Sequence, residues 1–201
     1  MSATEQTAVR QLRADARRNR ERILEAAAQV FGEQGADAQM DDVARRAGVG
    51  VGTVYRHFPN KDVLMGELVT QKFTGFAEAA GEALKEEDAW EAFSGLLYAT
   101  AEHMAENAAL QDALRTTSAA FEYAEPARLE LEAVMDKLIK RAQREGALRK
   151  DFKAEELGML MGGLCASMSG PFPGKQDWRR HLGILLDGLR AQPSPRRQKT
   201  S

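Results

Sequence analysis

The stretch Met40 to Phe58, MDDVARRAGVGVGTVYRHF, decides how this chain is read. Met40, Val43, Ala44 and Ala47 fall on one face of a short helix that Gly48 stops. Ala44 is small where a second helix must cross closely. Gly48, four residues later, sits where the turn needs a positive φ, which glycine adopts without strain. A second short helix, about Gly50 to His57, turns Val54 and Phe58 inward, and Pro59 then breaks the chain. Two helices crossed in this way leave the outer side of the second free. Such a unit enters a DNA major groove about 12 Å wide while neighbouring helix ends meet phosphate. The pattern is that of a helix-turn-helix.

Helical periodicity continues on both sides. Upstream, Ile23, Ala27, Val30 and Phe31 stripe a helix of about Arg17 to Glu33, ended by Gly35. Downstream, Asn60 is placed to cap a fourth helix from Lys61, with Leu64, Leu68 and Phe76 on its apolar side. Asp88 is placed to cap a helix holding Trp90, Phe93, Leu97 and Met104, and Asn107 to open a short sixth through Leu110 and Leu114. Pro126 stands at the start of a seventh, which passes Leu131, Met135, Leu138 and Ala142 and stops at Gly146. An eighth spans about Ala154 to Ser169, the Gly170–Gly174 loop with its two prolines is non-helical, and a ninth ends before Pro193. No period-two run of β-branched residues exceeds four positions. The expected fold class is all-α with about nine helices. An N-terminal arm and three-helix head occupy residues 1–62, a larger helical domain 63–192, and a basic tail 193–201.

The chain of 201 residues has length enough for a substantial core, and its 43% hydrophobic and 29% charged residues are ordinary for a water-soluble protein. Net charge is −2, but its distribution matters more for a polyanionic partner. Arg10 to Arg22 holds six arginines against Asp15 and Glu21. The tail, with Arg196, Arg197 and Lys199, is either a contact arm or a disordered end. The longest apolar stretch, Leu157 to Gly170, is too short to span a membrane, and the N-terminus has no apolar leader. The lone Cys165 excludes an internal disulfide, so a reducing cytoplasm, with the protein on the nucleoid, is the expected location.

Enzyme chemistry finds no constellation. Gly48-Val49-Gly50-Val51-Gly52 follows a helix and lacks the downstream Lys-Ser/Thr of a phosphate loop. His57, His103 and His181 are scattered without metal-ligand spacing, and Cys165 sits among small apolar residues as packing. No enzyme activity, metal or cofactor is expected. A structural helical protein with a degenerate DNA motif stays open as the other reading.

The segment from about Arg18 to Leu64 resembles the tetracycline-repressor (TetR) family of bacterial regulators. The matching positions are Ile23-Leu24, Ala26-Ala27 and Phe31, then Asp42-Val43-Ala44 and Ala47-Gly48-Val49, then Gly52-Thr53, Tyr55, His57-Phe58 and Lys61. The resemblance implies that Thr53, Tyr55 and His57 contact phosphate from the recognition helix, with Lys61 at the start of the next helix. It places Val51 and Arg56 toward base edges, with Arg56 suited to a bidentate guanine contact and Val51 to thymine methyls. Arg17, Arg18 and Asn19 would touch the backbone or enter the minor groove, and Gln39, Met40 and Gly52 complete the expected DNA-binding set. Gln39 stands where the family has a capping Ser or Thr, and Gly50 replaces a usual Ser. From the residues alone, Tyr55 either packs on the first helix or meets DNA, and Arg45 and Arg46 form either a solvated face or backbone contacts.

For the remainder the resemblance implies a ligand cavity and a dimer seam. Candidate cavity residues are Phe73, Phe76, Trp90, Phe93, Leu97 and Met104, with Phe121, Tyr123, Met135 and Leu138, and His103 as a polar handle. The same spacing also describes plain core. The expected seam carries Gly158, Met161, Gly162, Cys165 and Met168 on the eighth helix, and Trp178, Leu182, Leu185 and Leu189 on the ninth. These stripes are buried either by a second copy or within one subunit. The implied function is a ligand-responsive repressor that binds a pseudo-palindromic operator as a homodimer and is released by a small, largely apolar effector.

Overall fold

The computed structural model describes residues 3–115, 117–168 and 177–191. Among these the chain is all-α, with α1 (Ala3–Gln34), α2 (Met40–Ala47), α3 (Val51–His57), α4 (Lys61–Ala83) and α5 (Ala89–Glu106). There follow α6 (Ala108–Arg115), α7 (Ser118–Tyr123), α8 (Glu125–Arg144), α9 (Ala154–Met168) and α10 (Trp178–Leu189). A short 3₁₀ turn, Gly35–Asp37, links α1 to α2, and one isolated bridge pairs Leu148 with Arg190. Ten helices thus stand among the described residues where nine were expected. The addition is α7, six residues long and too short to show a period. α1 also begins far ahead of Arg17. The Gly170–Gly174 loop and the 193–201 tail lie outside the described residues.

Local signals placed most of the element ends. Asn60 Oδ1 accepts from the Val63 N–H at 2.9 Å and opens α4. Asp88 Oδ1 accepts from Trp90 and Glu91 N–H at 2.8 and 2.9 Å and opens α5. Gly35, Gly48 and Gly146 all take positive φ at or just past helix ends, as sequence position foretold.

The chain forms two compact units, each with its own core. The first holds the residues up to Phe73 together with Asn107–Ala127. Its core joins Ile23, Ala27, Val30 and Phe31 of α1 to Val43 and Ala44 of α2, Val54 of α3, and Leu64, Met65 and Leu68 of α4. Ala113 and Leu114 of α6 and Ala120 of α7 are buried in the same core. This division differs from the one expected at residue 62, because α6 and α7 spend their apolar faces on the head.

The second unit holds Thr74–Glu106 and the residues from Arg128 on. Phe93 and Leu97 of α5, Leu138 and Ile139 of α8, Leu164 and Cys165 of α9, and Leu182 and Leu186 of α10 share its core. The Arg141 guanidinium donates to the Leu84 and Glu87 carbonyls at 3.0 and 2.6 Å, satisfying backbone acceptors beyond the end of α4. Arg190 lies 4.0 Å from the centre of the Trp90 ring, a cation–π contact.

Candidate nucleic-acid interface

The head is built around the α2–α3 turn. At its start, Asp42 accepts the Gln39 backbone N–H at 3.2 Å, the carboxylate half of a capping box that does not depend on the missing hydroxyl. The Gln39 side chain turns back to the Asp37 carbonyl at 2.7 Å. At its end, Gly48 has φ +65°, and the Val49 N–H reaches the Ala44 carbonyl at 3.1 Å. Arg22 of α1 donates to the Ala47 carbonyl at 2.7 Å, so an orphan acceptor of α2 is held by its neighbour.

α3 then shows two sides. Val54 is fully buried and Phe58, just past its end, is 1% exposed, anchoring α3 in the head's core beside α2. Val51 and Tyr55, one turn apart, are 41% and 47% exposed, and Gly52 and Arg56 are exposed beside them. Thr53 and His57 are half-buried at the flanks. The helix therefore offers an outer face with a cation, a phenol and one aliphatic side chain. Tyr55 is therefore outside the head's buried core. Lys61 is half-buried with its ammonium 5.5 Å from the Phe31 ring centre, at the first turn of α4. Met40, expected in the DNA-binding set, is instead buried in the head's core, because its position starts the inward stripe of α2.

Ion pairs tie the head together at points the sequence reading missed. Arg46, read as solvated or backbone-binding, donates to Glu33 at 2.5 and 2.9 Å and to Gln29 at 3.1 Å, fastening α2 to α1. That hydrogen bond holds the Glu33 carboxyl below its usual value. Arg20 pairs with Glu67 at 2.6 Å and stands 5.4 Å from the Phe58 ring centre. Glu67 also accepts the Tyr123 hydroxyl at 3.2 Å. Burial foremost, and then the Glu67 charge, push the Tyr123 phenol up. Arg17 and Arg18 are exposed, with Glu21 3.8 Å from Arg17 and Asp15 bonded to Arg18, and Asn19 is half-buried. Only partners distant in sequence could have revealed Arg20 and Arg46.

The expected cavity residues divide between the units. Phe73 and Phe121 meet at 6.2 Å in the first unit, where the Tyr123 ring presses on Gly66 of α4. In the second, Trp90, Phe93, Leu97, Met104, Met135 and Leu138 are buried core, whereas His103 is exposed with its ring edge-on to Phe76 at 6.2 Å. The expected seam is also redistributed. Met161, Cys165, Leu182 and Leu189 are buried within their own subunit, because the apolar stripe of each helix faces its own core. Met168, Trp178 and Leu185 are half-buried, and Gly158 is exposed with Gly162 partly so. The outward apolar side chains are Met159 and Ile184, which the sequence reading did not name. Among the described residues no cluster of His, Cys, Asp and Glu has the grouping of a metal site, and no helix is long and apolar enough to cross a membrane.

Comparison with known proteins agrees with this geometry. Residues 23–68 match the family described as bacterial regulatory proteins, tetR family, and residues 87–191 match the SbtR-like transcriptional regulator C-terminal domain. An HTH-type transcriptional regulator of Staphylococcus aureus is 44% identical over 54 residues, which span 26% of this chain and only 29% of that relative. The solved TetR transcription regulatory protein of Mycobacterium vanbaalenii is 32% identical over 89% of this chain and 99% of its own, with a TM-score of 0.63. A TetR transcriptional regulator of Streptomyces coelicolor is 28% identical, covering 87% of this chain and 99% of its own, with a TM-score of 0.62. These relatives are regulators rather than enzymes. With α2 and α3 as its DNA-binding helix-turn-helix, the chain belongs to the TetR family of bacterial transcriptional regulators.

Proposed function

We propose that this chain is a ligand-responsive repressor that binds a pseudo-palindromic operator as a homodimer. The observation that carries the reading is the split of α3, with Val54 anchored inside and Val51, Gly52, Tyr55 and Arg56 exposed together. One helix of seven residues reads only a few base pairs, so two copies related by a two-fold axis supply the specificity a genome demands. Arg56 reads guanine through its fork of donors. Thr53, Tyr55, His57 and Lys61 hold phosphate and set the register, with Arg17, Arg18 and Asn19 on the backbone or in the minor groove. Gln39 stands at the α2 end of the same surface.

Dimerisation uses the outward sides of α9 and α10, where Met159 and Ile184 await cover and Gly158 and Gly162 permit close approach. The effector is small and largely apolar, and release works because it favours a state that binds DNA less well. Such a protein acts in the cytoplasm, on the nucleoid. Calorimetric titration in which only highly charged metabolites bound would reject this effector class.

The deciding experiment is a gel shift against the chain's own upstream DNA and against random duplex, at several ionic strengths. Arg56→Ala should lose about 1–3 kcal/mol of discrimination between sites. Lys61→Ala should weaken all duplexes alike. Equal losses on both DNAs for both variants would refute the role assignment, and absence of any preferred sequence would refute the function.

A further inference from the structure

Glu67 of α4 has a side chain only 15% exposed, and each of its carboxylate oxygens holds a different partner. Oε1 meets the Arg20 guanidinium at 2.6 Å, and Oε2 accepts the Tyr123 hydroxyl at 3.2 Å. α1 and α7 are thus joined through one residue of α4. Arg20 in turn stands 5.4 Å from the centre of the Phe58 ring, within cation–π range. Phe58 closes α3: its N–H donates to the Val54 carbonyl at 2.8 Å, and Asn60, two residues on, opens α4. The other end of the series is fixed as well. Glycine inside a helix is unfavourable, yet at Gly66 it gives the Tyr123 ring its seat beside Glu67, since an added Cβ would meet that ring at 2.7 Å.

Arg20 differs from the arginines just before it. Arg17 and Arg18 are exposed and meet acids within one turn of their own helix. Arg20 reaches across to α4, with its charge engaged by a carboxylate and its guanidinium beside a ring. Its influence falls on Phe58, which with Val54 anchors α3. The end of a seven-residue helix lies within two turns of every side chain that helix presents. Side chains that recognise a partner must be held to about 0.5 Å, and that precision comes from supporting residues behind them. We infer that Arg20, Glu67 and Tyr123 are positioning residues for operator binding, which touch no DNA and fix the exit of α3 through Phe58. This rests on the proposed role of α3 as the groove-reading helix and extends it to side chains behind the contact surface. Operator affinity then depends on α7, a helix outside the helix-turn-helix.

The probe is a duplex enriched from a random-sequence pool by the full-length protein. Its binding is followed by fluorescence anisotropy over a range of salt, with urea unfolding measured alongside. Tyr123→Phe keeps the ring on Gly66 and removes only the hydroxyl. Its unfolding midpoint should stay near that of the parent while affinity falls about fivefold. Arg20→Gln, whose folding is checked by circular dichroism, should also weaken binding, with the slope of log affinity against log salt unchanged. Loss of a phosphate contact would instead lower that slope by about one. The two substitutions together should bind no more weakly than Arg20→Gln alone, because both break the same series of contacts. Failure to enrich any sequence would overturn both the groove-reading role and this assignment. Given enrichment, three results would overturn the positioning role alone. They are affinity in Tyr123→Phe that is undiminished or falls only as its unfolding midpoint falls, a reduced salt slope in Arg20→Gln, and additive losses in the double variant.

Discussion

Two of the outward faces that leave apolar side chains uncovered differ in the chemistry around them. On α3 the one aliphatic side chain, Val51, shares its face with Arg56 and Tyr55. On α9 and α10, Met159 is 82% and Ile184 60% exposed, and Met159 stands among Gly158, Gly162 and Gly163 with the exposed Glu155 and Glu156 one turn before it. The first face combines a cation, a phenol and an aliphatic side chain, which suits a surface of hydrogen-bonding edges and phosphates. The second sets larger and more exposed apolar side chains among small residues, with charges one turn away such as Glu155, Arg180 and Asp187. Exposure alone therefore does not name a partner; the chemistry beside the exposed carbon does.

That contrast can be broken most forcefully on the second face. Met159→Asp together with Ile184→Asp should turn the proposed dimer into a folded monomer, read by sedimentation with circular dichroism as the check on folding. Loss of the paired head should weaken operator binding on the order of 10²-fold or more. A double variant that remained dimeric would assign the seam elsewhere.

The glycines sharpen the contrast from within. Gly66 of α4 is glycine because the Tyr123 ring occupies the space of its missing side chain, at 2.7 Å from an added Cβ. The atoms met include Cβ of Tyr123, close to the α7 backbone, so a rotamer change gives no relief. Gly66→Ala should cost about 1–3 kcal/mol of stability in denaturant unfolding. An unchanged unfolding midpoint would mean that α7 does not sit on α4 as described. Gly52→Ala should do the opposite, raising stability by up to about 1 kcal/mol through helix propensity while weakening operator affinity. Gain in both properties would show that the open space at residue 52 is not needed by the duplex.

The smallest effect concerns how α2 is fastened. Arg46 holds Glu33 below its ordinary carboxyl pKa, chiefly through their hydrogen bond. A folded value below the unfolded one means that the pair stabilises the head above the unfolded pKa. This contribution fades as pH falls through the folded value. Carboxyl-detected NMR titration should show the Glu33 midpoint rising in Arg46→Gln. An unmoved midpoint would place the two side chains apart in solution.

The parts of this molecule that were legible from sequence are those fixed by neighbours along the chain. Asn60 and Asp88 cap helices beginning within three residues, and the positive φ of Gly48 follows from its place after a stripe of four apolar residues. The outer face of α3 was legible for the same reason, since Val54 and Phe58 fix which side turns inward. Periodicity was silent on which core receives a stripe. Leu182 and Leu189 looked as fit for a partner subunit as for their own, and Met40 looked like an entry point for DNA until the core claimed it. Arg20 and Arg46 were illegible because their carboxylates lie 47 and 13 residues away. Short α7 left no pattern to read.

The arginines of α1 and α2 carry a consequence for how DNA is held. Arg17 and Arg18 sit beside Glu21 and Asp15, Arg20 is paired with Glu67, and Arg46 is pinned to Glu33. A cation already neutralised by its own protein displaces fewer condensed counterions from a polyelectrolyte than a bare one. The number of ions liberated on docking should therefore fall well short of the number of arginines in the head.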